Sequence, residues 1–435
     1  MANYVKLSTS EKPSLTVSSI GDILARHYGL RMVNCQKLNG YEDYNFRIKV
    51  ESTGNNGKEA CCHGYTFKVL NKRNSKNTKY IEAQHEMMSL VYGSGILTPR
   101  VVPTLSGHLY LTVNLPVEGS EETGQFQCDT VSHPLYLGVA SLQAAAGVLL
   151  IVGSNIHAVT KRQTRRVSLL FVGVTLRPVH AYSPYIVRLF EYVPGTIIQS
   201  VPLTPGLCYK VGVMAGRVDT ALKGFDHPGF HGNEVQIWHL SNVPLILNLL
   251  HVVDDKGDIS DVIKAFESRV LEHLDEFPQG ITHGDFNDGN ILVTQATDDD
   301  RWKDVHDVSA ILDYGDSAYQ PYIFEVAIAM TYMSVLSDSI PPQTASGYVL
   351  AGYLTQNDLS DREIDVLKIC VCARIAQSLV IGVYTYHVDP SNDYTLTTAK
   401  EGWPRLRQLW KMDTEELVSE WRNIASSCKE KLAAV

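Results

Sequence analysis

Paired Cys-x2-Cys spacings are missing from this sequence. Of its eight cysteines, Cys61 and Cys62 are adjacent and Cys370 and Cys372 stand one residue apart, neither of which suits a tetrahedral zinc site. Reduced thiols are therefore expected. Positive charge is in deficit: 38 Lys+Arg face 47 Asp+Glu, a net charge of −9 that disfavours nucleic acid or an anionic membrane as partner and leaves room for a cationic or zwitterionic substrate. The first 19 residues lack the basic and apolar regions of a secretory signal, so a cytoplasmic protein is expected. No internal repeat occurs at solenoid periods. What is present is a chain of 435 residues with 44% hydrophobic and 20% charged residues, ordinary for a folded globular protein and long enough for one two-part catalytic unit.

Residues 14–28 carry Leu15, Ile20, Ile23, Leu24 and Tyr28 at a helical rhythm that stops at Gly29, which predicts a short lead-in helix. Residues 33–38, 44–50 and 65–70 read as β-strands, joined by Asn39-Gly40 and by the Gly- and Asn-rich stretch 53–57. A helix over 78–92 follows, and residues 185–193 read as a strand running into Pro194-Gly195. From Thr204 onward the spacing is mostly helical, with apolar faces through 211–222, 243–252 and 259–274, and only 280–315 interrupts it with two short strands. The pattern predicts an α+β protein divided into residues 1–195 and 196–435.

Long hydrophobic runs are scarce, and the one that stands out lies in a stretch, about 115–183, that leaves this pattern. Residues 135–153 are uncharged and apolar and are followed by Lys161, Arg162, Arg165 and Arg166. By length the run approaches the ~20 residues of a transmembrane helix. A span there would put Lys68 and the downstream aspartates on opposite sides of a membrane, so no membrane is expected. An atypical insertion between strands and translated intronic sequence remain alongside a membrane segment as readings of it.

Chemistry concentrates in two clusters. Ile281-Thr282-His283-Gly284-Asp285-Phe286-Asn287-Asp288-Gly289-Asn290-Ile291-Leu292-Val293 is followed by Ala310-Ile311-Leu312-Asp313-Tyr314-Gly315-Asp316, so that two apolar runs each end in a polar, metal-competent group. Asp, Asn and Gly are common in turns, and either cluster alone would be weak. Together they match phosphoryl transfer, which needs a carboxylate to orient and deprotonate the attacking hydroxyl and hard oxygen ligands for a divalent cation. Asp285 fits the base. Asn290, five residues on, and Asp313 fit the metal ligands, and His283 fits a brace within the catalytic loop. Upstream, Lys68 interrupts the apolar strand Phe67-Lys68-Val69-Leu70, where an ammonium needs an anionic partner such as a nucleotide phosphate. Glu82 on the next helix is the candidate to hold Lys68, with Glu86 one turn on as the alternative. Gly40 and Asn45 lie in the turn between the first two strands, placed to cover phosphates, although a single glycine there differs from a Gly-x-Gly-x-x-Gly loop. Glu191 and Val193 lie in the hinge and complete the candidate nucleotide-binding set.

His-Gly-Asp-x-x-x-x-Asn with Ile-Leu-Asp-Tyr-Gly-Asp resembles the aminoglycoside-phosphotransferase and choline-kinase group, which has His-Gly-Asp where protein kinases have His-Arg-Asp. Within that group the sequence is most similar to the hydroxylysine kinase family. The likeness is carried by Tyr185-Ile186-Val187-Arg188-Leu189 with Pro194-Gly195, by Ile237-Trp238-x-Leu240-x-Asn242-Val243-Pro244-Leu245, and by Phe324-Glu325-Val326-Ala327-Ile328. Gln377-Ser378-Leu379-Val380 and Thr398-Ala399-Lys400-x-Gly402-Trp403 add to it. It runs over residues 15–113 and from 185 to near the end, where the family would have a short strand connection in place of the odd segment. The resemblance implies a protein-kinase-like two-lobed fold, with an antiparallel N-lobe sheet and a mainly helical C-lobe. It further implies transfer of the γ-phosphate of GTP, or of ATP, with Mg2+, to the side-chain hydroxyl of 5-hydroxy-L-lysine, in the cytoplasm, in lysine and collagen breakdown. Such a substrate carries ammonium groups and a carboxylate, so its pocket should offer carboxylates and an arginine. Asp288, Asp316, Glu325, Trp238 and Arg374 are the candidates. A kinase of another amino alcohol or amino sugar, or a catalytically inactive nucleotide-binding paralogue, would share much of this pattern, although intact Lys68, Asp285, Asn290 and Asp313 speak against the last.

Overall fold

A computed structural model describes residues 12–40, 43–51, 61–117, 126–128, 141–145, 148–152, 176–178, 182–232, 236–297, 300–390 and 396–433. The chain opens with α1 (Val17–Ile23), whose cap residue Thr16 and Ser19 bond reciprocally, and the turn that continues it ends at Gly29 with φ 66. Strands β1 (Met32–Leu38), β2 (Tyr44–Val50) and β3 (Tyr65–Val69) follow, then α2 (Thr78–Gly93), capped by the Asn77 side chain, and β4 (Leu111–Pro116). Short strands β5 (Phe126–Cys128) and β8 (Leu176–Pro178) pair with each other, as do β6 (Ser141–Ala145) and β7 (Val148–Val152). Part of the apolar run 135–153 is thus an antiparallel hairpin rather than a helix. The rest of that run, and most of the segment 115–183, lies outside the described residues.

Strand β9 (Tyr182–Glu191) completes a five-stranded antiparallel sheet of order β1-β2-β3-β9-β4. Side-chain alternation splits this sheet into two faces. Phe67, Val69, Val187 and Leu189 point into a core that α1 covers with Ile20 and Ile23. Lys68 and Arg188, directly opposite each other in the β3–β9 register, take the other face, toward the cleft.

Beyond β10 (Thr196–Ile197) the C-terminal part is mainly helical. It contains α3 (Pro205–Leu222), the 3-10 helix Leu240–Val252, and α4 (Lys256–Arg269). The 3-10 winding occupies the stretch expected to be an ordinary helix, and Pro244 inside it lacks the amide hydrogen an α-helix would use. Strands β11 (Gln279–Thr282) and β14 (Ala318–Pro321) pair, and β12 (Ile291–Gln295) pairs with β13 (His306–Ile311) and β10, so 280–315 holds one strand more than expected. Helices α5 (Tyr322–Leu336), α6 (Pro342–Tyr353), α7 (Asp361–Val388), α8 (Ala399–Lys411) and α9 (Thr414–Ala433) close the fold. Helix α7 is long and apolar enough to cross a membrane by composition, but its most apolar window is 94% buried inside the protein, as the core of a helical lobe requires.

The two parts are tied beside the cleft. Ile311 N–H donates to Leu97 O at 3.2 Å, the Thr98 hydroxyl donates to Ile311 O and the Tyr314 hydroxyl, and the Tyr80 hydroxyl of α2 bonds the carbonyls of Gly315 and Ser317, each at 2.8 Å.

Candidate active site

The loop between β11 and β12 is held from below. Gly284 sits at φ 79, and a Cβ there would lie 2.2 Å from Asp316 O, so this position accepts only glycine. Its N–H donates to Glu325 Oε2 at 2.7 Å. His283 is buried, with Nε2 bonded to Leu312 O at 2.9 Å and Nδ1 accepting the Asp285 N–H at 3.2 Å. That pattern fixes the tautomer, and burial pulls the imidazole down to about 4, so the ring is neutral and braces one loop against the other. It does not line the cleft, so His283 ties the two loops together and does not itself meet a substrate.

Asp285 projects into the cleft and is gripped on both carboxylate oxygens. Arg374 of α7 donates to Oδ1 at 3.0 Å, while the side-chain amides of Asn287 and Asn290 donate to Oδ2 at 2.8 and 2.7 Å. Burial pushes the Asp285 carboxyl up, Arg374 opposes this, and the net direction is upward, toward a stronger base. Because its amide nitrogen is committed to Asp285, Asn290 keeps its carbonyl oxygen for a cation.

Asp313 lies across the cleft at φ 52, a left-handed conformation that is uncommon outside glycine. Its carboxylate meets Lys68 Nζ at 2.9 and 3.1 Å. Burial works to raise the Asp313 carboxyl, but Lys68 outweighs it and holds the group below its ordinary value. On Lys68 itself burial works downward, and attraction to Asp313 and Asp43 exceeds it.

Asp43, from the β1–β2 connection, lies 3.3 Å from Lys68 Nζ and is anchored by the Asn71 backbone and side-chain amides at 2.9 and 3.0 Å. Asp43 therefore does what Glu82 was expected to do. Glu82 is exposed and accepts from the Tyr110 hydroxyl at 3.1 Å, and Glu86 is exposed near His227. The inward face of α2 carries Gln84, Met87, Met88 and Val91 instead. The i,i+4 pair Glu82 and Glu86 was assigned to the wrong side because spacing defines a face without saying which way it turns.

Lys68, Gly40, Asn45, Val193, Asp285, Asp288, Asn290, Asp313, Asp316, Trp238 and Arg374 all line one cleft of about 590 Å³ between the two parts. Besides His283 and Glu82, two expected members lie outside it. Glu191 is paired with Arg100 at 2.5 Å. Glu325 is wholly buried under the catalytic loop, where its Oε2 serves Gly284, so it cannot meet a substrate as expected. Burial raises it to about 7. Arg374, 1% exposed, has its amino groups on Asp285, Trp238 O and Gln377 Oε1, and its guanidinium lies 5.2 Å from the Trp238 ring. It positions the carboxylate rather than waiting for a substrate. Asp288, pushed up to about 6 by burial, lines the cleft together with Asp316 and Trp238.

Residues 167–359 match the model of the Phosphotransferase enzyme family. The chain is 30% identical to hydroxylysine kinase of Xenopus laevis over 98% of its own length and 97% of that protein's. It is 29% identical to hydroxylysine kinase of Mus musculus over 98% and 97% of the respective lengths. Among solved structures, an amicoumacin kinase with AMP-PNP, Ca2+ and its ligand superposes with TM-score 0.55 at 14% identity, covering 93% of this chain and 97% of the other. A microcompartment-associated aminopropanol kinase does so with TM-score 0.53 at 14% identity, covering 96% and 98%. At such identities these two share the fold.

Proposed function

The chain belongs to the hydroxylysine kinase family, whose members are phosphotransferases acting on a hydroxyl group, and from that membership we propose that it transfers the γ-phosphate of GTP to the side-chain hydroxyl of 5-hydroxy-L-lysine. The observation that carries the reading is the meeting of Lys68, Asp285, Asn290 and Asp313 around one cleft. The donor set fits a hard divalent cation, since one amide carbonyl and one carboxylate supply oxygens only. Asn290 and Asp313 would hold magnesium, which when bound neutralises charge on the β- and γ-phosphates.

The rest is the work of this chain's side chains. Asp285, fixed by Arg374, Asn287 and Asn290, accepts the hydrogen bond of the acceptor hydroxyl, orients its oxygen toward the γ-phosphorus, and takes its proton as the new P–O bond forms and the bond from the γ-phosphorus to the β–γ bridging oxygen breaks, with GDP leaving. Lys68, steadied by Asp43, is available to the phosphates. Asp288 and Asp316 face ammonium groups, with Trp238 beside them. This activity would consume hydroxylysine released in lysine and collagen breakdown.

The test is turnover of purified protein on 5-hydroxy-L-lysine, choline, homoserine and an aminoglycoside, each with Mg2+ and either GTP or ATP. Hydroxylysine with GTP is expected to give the highest kcat/KM. A higher value on another acceptor would move the assignment to a related amino alcohol or amino sugar kinase, and no turnover on any would mark an inactive paralogue.

A further inference from the structure

We propose that Arg188 is a phosphate-binding residue of the nucleotide site, a second cation standing beside Lys68. The inference rests on the reading of the cleft as a nucleotide site and deepens it.

Arg188 occupies the centre of β9, between Val187 and Leu189, both wholly buried on the opposite face of the sheet. It is paired in register with Lys68 of β3, and both line the cleft. Like charges directly opposite on neighbouring strands repel, so this pairing is unfavourable unless anions face it. Asp43 and Asp313 supply part of that charge, but both lie against Lys68, at 3.3 and 2.9 Å.

The guanidinium is left under-satisfied. Arg188 is 4% exposed, yet its one hydrogen bond among the described residues runs from Nη1 to Gln84 Oε1 at 2.7 Å, and Nε has no partner. Buried arginines ordinarily have their donors paired, because unmet charged donors are costly out of water. Its two fixed contacts are the neutral amide of Gln84 and the ring of Phe190, 5.3 Å from the guanidinium carbon. These hold the fork in place without cancelling its charge. A planar cation with open donors, in a cleft beside the lysine assigned to phosphate, suits the oxygens of a nucleoside triphosphate, which guanidinium can take two at a time.

The competing role is structural, with Arg188 only tying β9 to α2 through Gln84. Calorimetric titration of the full-length protein separates the two. GTP and ATP, each with Mg2+, and guanosine and adenosine would be measured on wild type, Arg188→Met and Arg188→Lys. Arg188→Met is expected to weaken the preferred triphosphate roughly 10- to 100-fold, the range of a charge-assisted hydrogen bond, and to leave its nucleoside unchanged. Equal losses for triphosphate and nucleoside, or no loss for either, overturn the proposal. Should Arg188→Met fail to fold, Arg188→Lys decides. It keeps the charge but not the fork, so a smaller loss confined to the triphosphate supports the role, and unchanged triphosphate affinity overturns it. Wild-type protein that binds neither triphosphate removes the functional reading and this proposal together, a result visible before any substitution is made.

Discussion

Asp285, as the proposed base, owes much of its setting to its neighbours. An isolated carboxylate withdrawn from water would tend to protonate, yet this one keeps a guanidinium on one oxygen and two amides on the other. The same three contacts restrict its rotation, so the oxygen that must meet a hydroxyl is already aimed. Asp285→Asn retains the size and one acceptor for Arg374 but loses the proton-accepting charge. Its kcat is expected to fall about 100- to 10,000-fold while nucleotide affinity, followed by titration, stays within about threefold. Retained turnover would refute the base assignment. Lys68 illustrates the converse case: a lysine in an apolar strand advertises itself in the sequence, and Arg188 in β9 carries the same signal. Asp43 carries none, since an aspartate in a turn is unremarkable until the fold brings it 3.3 Å from the lysine.

Among the elements, β4 and β9 explain how the chain tolerates the segment between them. They are antiparallel neighbours, with Leu115 opposite Ser183 and Pro116 opposite Tyr182, so the segment leaves and re-enters the sheet at adjacent points. A two-residue turn could close the same gap, because hairpin connections need no more. A chain in which residues 117–181 are replaced by Asn-Gly is expected to fold, with a melting temperature within about 5 °C of the full-length protein and unchanged nucleotide affinity. Differential scanning calorimetry checks the first, and titration the second. Loss of cooperative unfolding in the shortened chain would show that the segment is part of the core. At this scale hydrophobic rhythm read well: α1, β1, β2, β3, α2 and β9 lie within a few residues of where the pattern put them. It read poorly where proline changed the winding, over Leu240–Val252, and where a helix had two plausible inner faces, at Glu82 and Gln84 of α2.

Taken whole, the molecule stores a pH dependence beneath its catalytic loop. Glu325 is raised from 4.5 to about 7, first by burial, and Asp219, bonded to the Tyr353 hydroxyl at 2.6 Å, is raised in the same direction by burial and by Glu325. A carboxyl whose folded value is raised binds its proton more tightly in the folded state. Its contribution is complete below 4.5 and is lost as pH rises through about 7. The melting temperature is therefore expected to decline across that window, and Glu325→Gln, permanently neutral, to flatten the decline. A wild-type melting temperature that rises over the same interval would contradict the assignment. The chain's order of residues was enough to predict strands and helices from hydrophobic period and to nominate the proposed base, the two proposed oxygen ligands and the lysine from residue type and spacing. Pairing was decided in three dimensions. Lys68 and Asp313 are 245 residues apart, and which acids reach the lysine, which side of α2 faces inward and which arginine holds the base depend on strand register and helix rotation. Those follow from burying the whole core at once, a condition that no stretch of sequence contains by itself.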